Sequence, residues 1–242
     1  TGRWSRREVK ELVRRGRVLL DGVPAASPEQ KIDPETADIR VDGETVSYRR
    51  FTYVLLHKPK GYVSSADEPG QKSVLELVPP ELCRKDLRPV GRLDKDSTGM
   101  LLLTDDGQLA HQVIAARSHV AKYYHIVLAR PWEDGYAEKM AEGMVLADGA
   151  QCLPAKAAPV EGTDREALIC LHEGKYHQVR RMFAAAGNHV AELARIAMGG
   201  LEMPQDLEIG TCCVLSEKDV QKMLNCETNF ASLLQTLKKH SS

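Results

Sequence analysis

The chain has 242 residues, of which 43% are hydrophobic, and its formal net charge at pH 7 is −1. This length fits one large domain, or an ordinary domain with a small module beside it. No apolar run approaches the roughly 20 residues of a membrane-spanning helix, and no secretory leader is visible after Thr1. We therefore expect a cytoplasmic protein with no membrane partner.

The cysteines and the distribution of charge further limit the classes of protein to which the chain could belong. The six cysteines form no Cys-x-x-Cys pair and no close cluster with histidine, so we expect neither a zinc nor a redox site, and no metal. Residues 1–20 carry seven Lys and Arg against two Glu, a local charge of +5 that leaves −6 for the remainder. The N-terminal end of the chain is therefore suited to bind an anion.

The first elements in chain order belong to a small module. Ser5 is predicted to cap a helix that extends to about Arg15, because Glu8 completes a capping box. Short strands are predicted at Val18–Leu20 and Ile39–Val41, each followed by an Asp-Gly turn. The basic helix either binds an anion or is simply solvated.

Composition divides the chain into three segments. We predict a small α/β module at residues 1–48, an α+β domain with a mixed sheet at 49–216, and a helical tail at 217–242. The second segment is assigned to α+β because its elements alternate without a strict βαβ period. Its predicted strands are Thr52–His57, Met100–Thr104, Tyr123–Leu128 and Ala167–Leu171, and its predicted helices are Gln108–Ala116, Asp134–Glu142 and Gln178–Ala186.

The segment Gly91–Gly99 reads Gly-Arg-Leu-Asp-Lys-Asp-Ser-Thr-Gly and supports three interpretations. A calcium loop would have Asp94, Asp96, Thr98, Gly99 and Asp105 at positions 1, 3, 5, 6 and 12 of an EF-hand, where the glycine makes the turn and the others supply ligands. Pro89 and the apolar strand that follows disfavour this, since a calcium loop of this kind lies between two helices. An aspartic-protease half-site is disfavoured by an additional residue before Gly99 and by the lack of a second copy.

The third interpretation is a single nucleophilic or general-base carboxylate at Asp94, with Arg92 on the same side of an extended segment.

A second cluster extends from Glu173 to Met182. Its two histidines are five residues apart, which does not fit a helical zinc pair. Gly174 precedes a predicted helix whose N-terminus and two arginines suit a phosphate, although a solvated helix start is the alternative.

Together these segments resemble the bacterial ribosomal-RNA pseudouridine synthases of the RsuA type. The resemblance extends from about Ser5 to Ser216, and the order of the motifs makes it more specific than any one of them. The N-terminal module resembles the small RNA-binding domain that precedes the catalytic domain in this family. The motifs are Lys58-Pro59-Lys60-Gly61, Gly91 to Thr104, Lys122-x-Tyr124 and Glu173 to Met182.

The resemblance implies that Asp94 is the nucleophile, that Tyr124 stacks on the target base and that Arg180 pairs with Asp94. The chemistry agrees, because a carboxylate in a pocket that excludes water stays ionised only beside a positive charge. An aromatic face also returns part of the cost of flipping a base out of its stack. The isomerisation involves no net oxidation, so no cofactor is expected. Whether Asp94 attacks the ring or the ribose carbon is left open.

The resemblance also implies contacts to the substrate RNA. The expected partner is ribosomal RNA in a ribosome assembly intermediate, bound by a monomer. The residues implied in RNA binding are Lys58, Arg92, Lys122, Lys175, His177, Gln178 and Arg181 in the catalytic domain, and Arg6, Arg7, Arg14 and Arg17 in the module.

Three departures and two rival functions complete the prediction. In the family the module starts about a helix earlier, so Thr1 lies inside it and RNA affinity is expected to be impaired. Arg195–Gly200 is more apolar than usual, and the tail extends past the typical end.

Asp106–His111 and Ala185–Leu193 favour a small-subunit uridine as the substrate. A large-subunit uridine and a catalytically silent RNA-binding assembly protein are the alternatives.

Overall fold

The protein, represented by a computed structural model, divides into two units. The first comprises Thr1–Thr52 with Pro79–Lys85, and the second comprises Tyr53–Val78 with Asp86–Ser242. No helix in the described residues is long and apolar enough to cross a membrane. The boundary predicted between residues 48 and 49 lies outside the described residues, which are 3–33, 36–46, 50–65, 68–115 and 120–240.

The first unit contains helix α1 (Arg6–Arg14) and a four-stranded antiparallel sheet. Its strands β1 (Val18–Leu20), β2 (Val23–Pro24), β3 (Ile39–Val41) and β4 (Glu44–Thr45) lie in the order β2-β1-β3-β4. Ser5 caps α1 and both hydrogen bonds of its capping box with Glu8 are present, so this prediction is confirmed. Leu12 from the helix packs with strand residues Val18 and Val41 to form the core.

Within the described residues, the second unit contains a nine-stranded sheet. Its strands are β5 (Tyr53–Lys58), β6 (Arg88–Pro89), β7 (Thr98–Thr104), β8 (Lys122–Leu128), β9 (Lys156–Pro159), β10 (Glu166–Leu171), β11 (Val190–Met198), β12 (Leu201–Glu202) and β13 (Cys212–Val214). The order is β13-β5-β7-β11-β8-β10-β9, with β12 beside β11 and β6 beside β7. Strands β7 and β11 are parallel and the other pairs are antiparallel, so the predicted α+β fold with a mixed sheet is confirmed.

Strand β11, at the centre of this sheet, was not predicted from the sequence. Its pairing with β8 is irregular at two places, between Val190 and Glu192 and between Arg195 and Ala197. Such bulges shift the alternation of inward and outward side chains, so the period of two that marks a strand in the sequence is lost.

Helices cover the sheet and complete the second unit. Helices α2 (Gly107–Ile114) and α5 (Glu217–Asn225) pack on Leu55, Met100 and Leu102, whereas α6 (Phe230–His240) packs on Tyr123 and its neighbours. The predicted tail therefore belongs to the second unit. Predicted helix bounds agree closely with the observed ones, except that Ala116 lies outside the described residues. The other helices are α3 (Tyr136–Glu142) and α4 (Gln178–Ala185), with a 3₁₀ helix at Val74–Leu77.

Candidate active site

The loop that carries Asp94 leads into β7 and is held from two sides. On one side Gly61 donates its N–H to the carbonyl of Lys95 at 2.8 Å. On the other, the buried Ser64 hydroxyl accepts from Leu93 N at 3.1 Å and donates to Leu93 O at 2.9 Å. The main chain is thus fixed immediately before and after Asp94.

Lys58 fixes the same loop from beneath. Its side chain is fully buried, and its ammonium donates to the carbonyl oxygens of Asp94 at 3.0 Å, Ser97 at 2.8 Å and Lys95 at 3.3 Å. Burial lowers the pKa of Lys58 to about 8, against the opposing effect of the nearby carboxylates. The RNA contact of Lys58 stays a prediction, but here the ammonium is engaged by loop carbonyls, because a long cation at a strand end satisfies carbonyls as readily as phosphates.

The Asp94 carboxylate is partly exposed and lies between two basic side chains. His177 Nε2 is 3.2 Å from Oδ1, and Arg180 Nε is 3.6 Å from Oδ2. The hydroxyl of buried Ser97 donates to Oδ2 at 3.5 Å. Arg180 also donates from Nη1 to Val190 O at 2.8 Å, so its guanidinium connects Asp94 to the start of β11.

His177 contacts Asp94 directly, whereas the sequence prediction placed it on the RNA. It precedes α4 in the left-handed region, at φ 48° and ψ 35°, where it is the N-terminal cap residue without a side-chain cap bond. That conformation costs a residue with a side chain about 1 kcal/mol or more. The sequence signal was its place just ahead of a helix, which does not reveal where the ring is directed.

The remaining polar residues of this motif are engaged within the protein. Buried Gln178 donates to Glu173 Oε1 at 2.6 Å and accepts from Lys175 N at 2.8 Å, and its RNA contact stays a prediction. The Lys175 ammonium pairs with the Glu173 carboxylate. Arg181 Nη2 lies 2.5 Å from Asp148. None of these three predicted RNA ligands contacts Asp94.

Tyr124 lies on β8, which is separated by β11 from β7, the strand that follows the Asp94 loop. It is 8% exposed and pairs across the sheet with Arg195 of β11, which in turn pairs with Gly99 of β7. Buried Arg195 donates from Nε to Met100 O at 2.8 Å, and no partner for its Nη2 occurs among the described residues. The sequence prediction did not assign Arg195 to the site.

Lys122 lies at the start of β8, two residues before Tyr124. It donates from Nζ to Val120 O at 2.9 Å, and burial lowers its pKa to about 8, with a contribution from the charge of Arg195. Arg92, in contrast, is exposed and makes no ion pair with any described residue. Of the predicted RNA contacts in the catalytic domain, Arg92 therefore remains the most accessible.

The loop around Asp94 continues into strand β7 rather than into a helix, which does not fit the calcium loop considered above. Over the described ranges, no group of three His, Cys, Asp or Glu side chains could hold a metal ion. The geometry instead presents one carboxylate, with its main chain fixed and two basic groups facing it, as the candidate reactive group.

Comparisons with known proteins agree with this geometry. Residues 52–185 match the RNA pseudouridylate synthase family, and residues 2–37 match the S4 domain. The Bacillus subtilis protein named uncharacterized RNA pseudouridine synthase YtzG is 38% identical over 91% of this chain and 93% of its own length. Ribosomal small subunit pseudouridine synthase A of Escherichia coli K12 is 37% identical over 88% of this chain and 91% of its own.

A solved structure extends the comparison to three dimensions. A crystal structure of pseudouridylate synthase superimposes with a TM-score of 0.66 at 31% identity, covering 90% of this chain and 94% of that one. Fold, site and comparisons define an enzyme that acts on RNA. Since the family match covers more than half of the residues, the chain belongs to the RNA pseudouridylate synthase family, and the predicted resemblance is confirmed. It is a pseudouridine synthase, an isomerase.

Proposed function

We propose that this enzyme converts one uridine of bacterial small-subunit ribosomal RNA to pseudouridine, with Asp94 as the nucleophile and no cofactor. The observation that carries the proposal is the setting of Asp94, whose main-chain carbonyl is held by Lys58 and whose carboxylate is faced by His177 and Arg180. The choice of small-subunit RNA is supported by relatives of Escherichia coli and Vibrio cholerae, both named ribosomal small subunit pseudouridine synthase A.

The reaction makes few demands beyond this carboxylate. The N1–C1′ bond of uridine breaks, the uracil turns, a C5–C1′ bond forms, and C5 loses a proton while N1 gains one. The sum is an isomerisation, so neither an oxidant nor a group donor is consumed. Asp94 forms a transient covalent bond to the nucleoside that breaks again before the product leaves, His177 and Arg180 pair with its carboxylate and orient it, and Tyr124 stacks on the base.

The module supplies RNA affinity in this proposal. Arg6 and Arg7 are exposed in the first turn of α1 and form no ion pair with the described residues, whereas Arg14 and Arg17 each pair with a carboxylate. We propose that Arg6 and Arg7 contact phosphates. The enzyme acts as a monomer on a ribosome assembly intermediate, in which the target uridine is not yet enclosed. Sedimentation of the enzyme with and without RNA tests whether one copy of the enzyme binds.

The test is a map of pseudouridine in ribosomal RNA from cells that lack this protein. One small-subunit position should lose its modification and regain it with the wild-type enzyme. Asp94→Asn should not restore it, because the amide has the same shape without the nucleophilic charge. Asp96→Asn is the matched control, since Asp96 is an exposed carboxylate in the same loop. A lost position in large-subunit RNA contradicts the substrate, and restoration by Asp94→Asn, after deamidation is excluded, contradicts the nucleophile.

A further inference from the structure

Tyr176 is an exposed aromatic residue beside the reactive centre. Its residue surface is 73% exposed, and it is the one aromatic among the large exposed hydrophobic residues of the described chain. Burying a tyrosine ring stabilises a fold by removing a large apolar area from water. A ring left in solvent therefore contributes little to folding, and its position calls for another explanation.

The ring is held in place on one face only. Tyr176 stacks on His177, with ring centroids 3.9 Å apart and planes 15° from parallel. Its carbonyl accepts a hydrogen bond from Arg181 Nη1 at 3.2 Å, and Arg181 is itself held by Asp148. The inner face is thus covered by His177, while the outer face is open to solvent and already oriented.

The stack leads directly to the nucleophile. His177, the inner ring, lies 3.2 Å from Asp94 Oδ1, so a flat group on the outer face of Tyr176 would be one ring further from the carboxylate. That separation suits a neighbour of the reacting uridine rather than the uridine itself. A flat, stackable group in an RNA substrate is a nucleobase.

We propose that the outer face of Tyr176 stacks on a base that flanks the target uridine in the substrate RNA. The inference rests on the proposed function. When the uridine leaves its stack, an adjacent base loses a stacking partner, and Tyr176 replaces that partner. Because the ring is already oriented, little conformational freedom is lost on binding. Stacking accepts any base, so the contact recognises the presence of a base more than its identity.

The test is a double-mutant cycle between protein and RNA. The RNA is an oligonucleotide centred on the mapped uridine, with the intact sequence or with an abasic site on its 5′ or 3′ side. On intact RNA, Tyr176→Ala should raise Kd by about 5- to 150-fold, the range expected for one stacked base. Tyr176→Phe keeps the stacking face and should stay within about twofold of wild type. Val145→Ala, which shortens another exposed apolar side chain, is the matched control.

The abasic RNA decides between stacking and a structural role. At one flanking position, removal of the base should weaken wild-type binding by a similar factor and leave the Tyr176→Ala variant unchanged. Equal effects on intact and both abasic RNAs, or an altered pH–rate profile at unchanged Kd, would show that Tyr176 acts only through His177. Conversion of the intact oligonucleotide by wild-type enzyme reports on the proposed function separately, whatever the cycle shows.

Discussion

Replacing Arg180 by methionine tests the electrostatic basis of the site. Methionine keeps an apolar stem of similar reach and removes the guanidinium that lies 3.6 Å from Asp94 Oδ2. Single-turnover pseudouridine formation should then be slower, because the carboxylate loses the charged group that orients it and keeps His177 as its remaining basic neighbour. Arg180→Lys should lose less, since it keeps the charge but not the planar donor group.

The separation of the charges sets the size of the effect. Two unit charges at 3.6 Å attract by about 4.6 kcal/mol at an effective dielectric constant of about 20. Both side chains are about a quarter exposed, at 25% for Arg180 and 27% for Asp94, so solvent screening reduces this attraction. We expect about 1–3 kcal/mol to remain, and its loss should lower the single-turnover rate by about 5- to 150-fold.

The assay is the single-turnover rate at one fixed pH with saturating RNA, so that changes in affinity do not enter. Arg181→Met is the matched control, because that guanidinium pairs with Asp148 instead. Melting curves of both variants exclude unfolding as the cause. An unchanged rate in Arg180→Met, or an equal loss in Arg181→Met, would refute the electrostatic role of Arg180.

Three further perturbations follow from the structure. Burial lowers the pKa of Lys58 from 10.5 to about 8, so between these pH values the unfolded chain binds this proton more tightly than the folded chain does. The free energy of unfolding of the wild type minus that of Lys58→Met should therefore rise from about pH 8 to 10.5 in denaturant titrations. A difference that falls over this range contradicts the argument. Gly99→Ala should destabilise by about 2 kcal/mol or more, because φ is +106° and the new Cβ would lie 2.2 Å from a carbonyl oxygen of β11, whereas Gly107→Ala, in open space, should not. Removing Arg6 and Arg7 should flatten the salt dependence of RNA affinity by about 0.7–0.9 in slope for each phosphate that is no longer bound, and an unchanged slope would mean that both are only solvated.

Local patterns in the sequence determined much of the fold. The capping box of Ser5 and Glu8 satisfies backbone donors within one turn, so α1 was predictable from adjacent residues alone. Apolar runs at Thr52–His57 and Met100–Thr104 predicted β5 and β7, because strands buried on both faces lose their polar alternation. The family resemblance likewise depended on the order of motifs along the chain.

Tertiary structure decided which partner each cation of the site has. Lys58 and Asp94 are 36 residues apart, and their contact exists only because β5 and β7 pair side by side. An ammonium at a strand end has the same local sequence whether it binds loop carbonyls or a phosphate. His177 likewise meets Asp94 because an unusual backbone conformation directs it there. Partner choice depends on which segments the fold brings together, and that information is not local.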